Sequence, residues 1–214
     1  MLVQLLTAAC LAATPPSSAP TSAAPLEGID VSHYQGDVDW ASVRSASIDF
    51  AYAKATQGAS EVDPHFAANG AGMKSAGLPR GAYHFYVAGD PPLDQAKHFT
   101  STVTLAAGDL VPMVDVEVGA VSAKDLQTFV DALLAHYGVP PIVYTDHPYW
   151  TAHLDDSFSA YPLWIADYEG GPRLPSRWSQ WSLWQYEEDG KVSGVKGAVD
   201  RDRMRGPLSQ FQVH

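Results

Sequence analysis

From Leu26 onward the chain alternates between short apolar or aromatic segments and amphipathic ones, and that order admits few folds. Strand-like segments fall at 28–32, 48–55, 81–87, 110–117, 141–145, 163–168, 182–186 and 197–201, most of them bounded by Gly, Pro or Asp. The helical segments between the first five have recognisable ends. Asp63-Pro64 offers an N-cap followed by proline at the first helical position, and Gly77 a stop. Ser122-Ala123-Lys124-Asp125 reads as a capping-box-like start. After it Leu126, Phe129, Val130, Leu133, Leu134 and Tyr137 fall on one face, ended by Gly138. That stripe is core. Strand-helix alternation predicts an α/β fold with a parallel sheet, closed as an irregular, flattened (β/α)8-like, TIM-type barrel in a single domain. At 214 residues the chain is shorter than the ~250 residues usual for such barrels. The last three strands leave little room for helices between them, so irregularity is expected there. A doubly wound open sheet is the competing arrangement, but no Gly-rich phosphate loop follows the first strand.

In a barrel of this kind chemistry gathers at the C-terminal ends of the strands. The segment Val111-Pro112-Met113-Val114-Asp115-Val116-Glu117-Val118 carries two carboxylates near its end. Alternation along a strand places Asp115 and Glu117 on the same face. Neighbouring like charges raise one of the two pKa values, which favours one protonated and one ionised group and suits general acid catalysis. Alone, such a pair is equally well a solvated strand end or a structural partner. Asp30, Asp167 and Asp200 also stand near strand ends, and five carboxylates on one rim are a sharper signal. Asp109, by contrast, reads as an exposed carboxylate.

With 46% hydrophobic and 11% aromatic residues the chain can build a sizeable core. A formal charge of −11 with no basic stripe argues against nucleic acid as a partner. Residues 1–25 differ in character: an apolar run is followed by a Pro/Ser/Thr/Ala spacer, as in a secretory signal, although no Lys or Arg precedes the run. The run is too short for a transmembrane span. Export is therefore expected, with a barrel over 26–208 and a C-terminal tail over 209–214. The only cysteine, Cys10, lies in the leader-like segment. A lipid anchor there is less expected than cleavage, because Thr7 and not an aliphatic residue stands three positions before it. Without that segment the chain has no disulfide, thiolate nucleophile or cysteine metal site.

Further motifs run along the chain: Gly28-Ile29-Asp30-Val31-Ser32-His33-Tyr34-Gln35-Gly36, Tyr52-Ala53-Lys54-Ala55-Thr56-Gln57-Gly58, Gly81-Ala82-Tyr83-His84-Phe85 and Asp115-Val116-Glu117. Tyr144-Thr145-Asp146, Leu163-Trp164-Ile165-Ala166-Asp167-Tyr168, Trp184-Gln185-Tyr186 and Val199-Asp200 follow. Together, and in this order, they resemble glycoside hydrolase family 25, the Chalaropsis-type lysozymes. The resemblance implies a muramidase that cleaves the β-1,4 bond after N-acetylmuramic acid in a peptidoglycan glycan strand. It further implies an irregular barrel, a carboxylate-lined groove, no metal or cofactor, and a monomer. Glu117 corresponds to the general acid and Asp115 to the carboxylate that steers the reacting N-acetyl group, while Asp30 and Asp200 match the other acidic members. Retention through the substrate's acetamido group is the mechanism the resemblance favours. Two positions depart from the family pattern: Gln57 stands where Glu is common, and Asp202 where Asn is common.

Tyr83, Tyr186, Tyr168 and Trp164, with Asp167, are candidates for binding sugar, since sugar rings stack on aromatic faces. For Trp164 core packing competes evenly, because inward strand residues must fill a barrel. Rival functions are a metal-dependent peptidoglycan deacetylase, a non-catalytic peptidoglycan-binding module and a chitin-active substrate-assisted hydrolase. His33 and His84 would have to supply the metal, yet no H-x-x-x-H or H-E-x-x-H spacing is present.

Overall fold

The computed structural model describes residues 24–214; Cys10 and nearly all of the leader-like segment lie outside the described residues. Nine strands form one sheet: β1 Leu26–Val31, β2 Phe50–Gln57, β3 Glu61–Val62, β4 Arg80–Phe85, β5 Met113–Asp115, β6 Ile142–Asp146, β7 Leu163–Ala166, β8 Leu183–Gly190 and β9 Val199–Met204. The order is β1-β9-β8-β7-β6-β5-β4-β2-β3, and an added β1–β2 pairing closes eight of the strands into a ring, with β3 appended to β2. All neighbours in the ring are parallel except β9, which runs antiparallel to both β8 and β1. Helices α1 Trp40–Ser45, α2 Phe66–Ser75, α3 Pro92–Thr102, α4 Ala123–Tyr137 and α5 His147–His153 make the crossovers from β1 through β7. No helix fills the passage from β7 to β8, where the expected irregularity falls.

Alternation along each strand sorts the core into an inner and an outer layer. Phe50, Tyr52, Met113, Ile142, Trp164, Leu183 and Met204 fill the barrel interior. The interleaved residues Val114, Val143, Leu163 and Ile165 face Phe99, Leu126, Phe129, Val130 and Leu133 of α3 and α4. Two glycines make room for the interior rings. A Cβ on Gly81 would lie 2.1 Å from the Tyr52 ring, and one on Gly28 2.2 Å from Phe50. Tyr52 in turn meets Trp164 edge-on at 4.9 Å and donates its hydroxyl to the Val111 carbonyl.

Most helix ends follow the sequence. Ser122 caps α4 by accepting from the Asp125 N–H, and Gly138 ends it at φ 71°. Leu134, at the edge of the expected stripe, is left exposed. Asp63 is not the cap of α2, whose N-cap is His65. Its carboxylate instead accepts from the His33 and His65 backbone N–H groups and pairs with the His33 ring, fastening the turn after β1 to the end of β3. Strand β5 is shorter than expected because Pro112 has no N–H to donate, and the Val111 N–H goes to the Phe211 carbonyl. The same bond draws 209–214 against the barrel. Phe211 is buried in the barrel interior, the Gly108 N–H donates to the Val213 carbonyl, and the Val213 N–H donates to the Asp109 carbonyl. Asp109 is half-buried rather than exposed, paired with Arg80 at 2.9 Å.

Candidate active site

The residues that continue the inner parity past the apolar layer are polar. Asp30 on β1, Lys54 on β2, Tyr83 on β4, Asp115 on β5, Tyr144 on β6, Gln185 on β8 and Asp200 on β9 surround a cavity of about 260 Å³ at the C-terminal end of the barrel. Glu117, two residues beyond Asp115, joins the same wall, as the strand parity predicts, and Tyr34 and Tyr168 stand at the rim. The register explains the crowding: Asp30 lies opposite Asp200, and Asp115 opposite Tyr144. A larger cleft of about 390 Å³ at α2 and the end of α3 holds no comparable acid group; its Asp109 is neutralised by Arg80.

Four carboxylates in a desolvated space push one another toward the neutral form. Burial raises the pKa of Asp115 well above the ordinary value, and Glu117 and Asp30 add to it while Lys54 opposes. Glu117 is raised by burial and by Asp146, again against Lys54. Asp30 is raised by burial, Asp200 and Glu117, with the Gln185 amide opposing. Asp200 is pushed up to about 6, chiefly by burial and by Glu188. Among the described residues only one of these four makes a side-chain hydrogen bond: Gln185 Nε2 donates to Asp30 at 2.7 Å. Asp115 Oδ1 is buried with no partner among those residues. Gln185 also accepts from the hydroxyls of Tyr144, at 2.8 Å, and Tyr168, at 2.7 Å, so one amide fixes an acid and two phenols.

The structure thus brings together Asp30, Asp115, Glu117, Asp200, Tyr83 and Tyr168 from the sequence-based candidates. It removes three. Trp164 is fully buried in the layer below, its indole donating to Asp202, so the core reading holds. Tyr186 points outward from β8, where its hydroxyl donates to Glu27 and its ring lies 4.1 Å from the Arg203 guanidinium. Asp167 anchors the β7–β8 loop: against the upward push of burial, Arg173 and two backbone N–H groups hold its carboxyl below the usual range. Lys54, Tyr144 and Gln185 were not singled out individually from the sequence, although each sits in a quoted motif. Strand parity counted from Tyr52, Ile142 or Leu183 is the signal that finds them. The two histidines go elsewhere. His84 is buried on the outer face of β4 between Thr56 and Gln95, stacked on Phe129 at 4.9 Å, and His33 is held by Asp63. Among the described residues no group of three or more His, Cys, Asp or Glu is arranged to hold a metal ion. Among them also, no helix is long and apolar enough to cross a membrane.

Comparison with known proteins bears on the family and the fold. A family model described as Glycosyl hydrolases family 25 matches residues 29–195. Lysozyme M1 of Streptomyces globisporus is 34% identical over 211 residues, covering 90% of this chain and 72% of its own. The autolytic lysozyme of Clostridium acetobutylicum is 32% identical, covering 83% of this chain and 55% of its own. Of solved structures, the bacterial lysozyme from Streptomyces coelicolor superposes with a TM-score of 0.80 at 31% identity, covering 88% of this chain and 96% of its own. A family 25 glycosyl hydrolase from Bacillus anthracis also gives 0.80, at 27% identity, covering 91% and 97%.

Proposed function

Since the chain belongs to glycosyl hydrolase family 25, we propose that it is a lysozyme hydrolysing the β-1,4 bond between N-acetylmuramic acid and N-acetylglucosamine in peptidoglycan. Glu117 is the general acid: its carboxyl gives a proton to the leaving glycosidic oxygen as the bond to the anomeric carbon breaks. Asp115, as the anion, steadies the substrate's acetamido group while the acetamido oxygen attacks that carbon. Glu117, now a carboxylate, takes a proton from the water that opens the resulting ring, so configuration is retained. Asp30 and Asp200 complete the acidic wall, and Tyr83 and Tyr168 contact sugar. The protein acts as an exported monomer on the glycan strand, without a metal.

One observation carries this reading. Asp115 and Glu117 share an inward face of one cavity, and the buried oxygen of Asp115 has no partner among the described residues. A buried polar atom left open costs about 1–3 kcal/mol, a cost that a bound group of the substrate removes. Digestion of purified peptidoglycan followed by mass analysis of the new reducing ends tests the bond specificity: muramic acid ends are expected, and glucosamine ends overturn it. Glu117→Gln keeps the shape of the site and should fold, with a rate about 10²- to 10⁴-fold lower. Near-normal hydrolysis by that folded variant overturns the acid assignment.

A further inference from the structure

The proposed mechanism needs Asp115 charged, yet burial and its neighbouring carboxylates push it toward the neutral form. The wall of the cavity contains one cationic side chain among the described residues, Lys54. It is 8% exposed, and no carboxylate lies within ion-pairing distance of its ammonium among those residues. Its contacts are neutral instead. Nζ donates to Gln57 Oε1 and lies 4.5 Å from the centre of the Phe85 ring. The register fixes where that puts the charge. Gln57 lies opposite Phe85, and Phe85 opposite Asp115, so three neighbouring strands present these residues in one line across the top of the barrel. The Lys54 side chain starts one inward step lower, opposite Tyr83, and rises to that line.

We propose that Lys54 is a positioning residue for the acid pair: held over the Phe85 ring by the neutral amide of Gln57, its ammonium faces Asp115 and keeps that carboxylate charged while Glu117 holds the proton. This rests on the lysozyme reading above and deepens it. A carboxylate in contact with Nζ would absorb most of this field, and Gln57 leaves it available. The other charged groups around Lys54 are Glu61 on β3, Asp63 just beyond it and Glu117 past β5, while burial pushes His84, on the opposite face of β4, down to about 4 and keeps it neutral. Asp30 and Asp200 add negative charge at Asp115 from β1 and β9. Of the carboxylates that act on Lys54, Asp115 acts most strongly.

The sign follows from the direction of the field. Removing the cation makes Asp115 harder to ionise, so the acidic limb of the pH–rate profile moves to higher pH. An opposite charge within about 4–6 Å shifts a carboxylate by about one to three pH units. The test compares pH profiles of kcat and kcat/KM on solubilised peptidoglycan for wild type, Lys54→Met, Lys54→Arg, Gln57→Glu and Glu117→Gln. Lys54→Met should raise the acidic limb by about one pH unit or more and lower kcat about tenfold near pH 5. Lys54→Arg should restore the limb, and Gln57→Glu, which places a carboxylate on Nζ, should move it the same way by less. A folded Lys54→Met enzyme whose acidic limb stays in place overturns the proposal, as does a change confined to KM, which marks a substrate contact. If Lys54→Met fails to fold, Gln57→Glu decides by the same limb. A wild-type profile that vanishes in Glu117→Gln, with no limb shift in the Lys54 and Gln57 variants, removes only the Lys54 assignment. No hydrolysis by the wild type removes both.

Discussion

Asp202 is fully buried inside the barrel, one inward step below Asp200, and its replacement by Asn isolates the cost of an interior acid. Oδ1 accepts from the Trp164 indole at 3.1 Å, while Oδ2 has no partner. Burial, reinforced by Asp30 and Asp200, raises its pKa well above the ordinary value. The folded protein therefore keeps the proton over a pH range in which the unfolded chain releases it. A group raised in the fold contributes its full stability below the unfolded pKa, near 3.9, and loses it as pH climbs toward the folded value. Each pH unit in that window costs about 1.4 kcal/mol. Asn keeps the acceptor for Trp164 and carries no proton to lose. Its own unpaired N–H groups cost about 1–3 kcal/mol, but that cost does not vary with pH. The stability gap between Asp202→Asn and wild type should therefore shift in the variant's favour as pH rises, by about 1.4 kcal/mol per pH unit until the folded value is reached. For a domain of this size that is a relative gain in Tm of about 2–4 °C per kcal/mol. Thermal unfolding followed by circular dichroism at pH 5, 6 and 7 measures it. Parallel Tm curves for the two proteins would refute the reasoning, because they would mean that Asp202 binds the same number of protons folded and unfolded.

Asp115→Asn should lose about 10²- to 10⁴-fold in hydrolysis rate and at the same time unfold at a higher temperature at pH 7, since it removes one of several mutually repelling buried acids; a lower Tm contradicts the electrostatic account of the site. Trp164→Phe leaves Asp202 without its donor and should cost about 1–3 kcal/mol in urea unfolding, with kcat/KM within about twofold of wild type. Tyr186→Phe, on the outer face of β8, should leave both KM and kcat unchanged, and a raised KM would return that residue to the site. Arg173→Ala frees Asp167 and the loop that carries Tyr168, so KM should rise more than kcat falls; an unchanged KM would separate that loop from substrate.

The parity of a strand made Asp115 and Glu117 legible, because their spacing alone sets which side they share. The same rule explains the misplacements. In Trp184-Gln185-Tyr186 the aromatics attract notice, but neighbours in a strand point in opposite directions. Gln185 is the inward residue, and it ties Asp30 to two phenols. Trp164 has the inward parity but lies one layer too deep, and depth depends on stagger between strands, which local sequence does not encode. Asp167 was drawn away by an arginine six residues on, in a loop whose course nothing nearby dictates. The short β5 followed from Pro112, legible in principle, whereas the return of Phe211 beneath the barrel is a contact across a hundred residues of chain.

The place of β9 sets when this molecule becomes competent during its own synthesis. It is the strand that separates β1 from β8, and the ring stays open on that side until residues near 200 have been made. Asp30 is among the first site residues to leave the ribosome, but its hydrogen-bond partner Gln185 follows 155 residues later, and Asp200 later still. Such distant pairings are slow to form and follow the local helical crossovers. A chain cut or stalled before β8 contains Asp115 on β5 and Glu117 just beyond it but lacks the wall that encloses them. The site is thus completed last, as the strand carrying Asp200 slots between the two ends of the sheet.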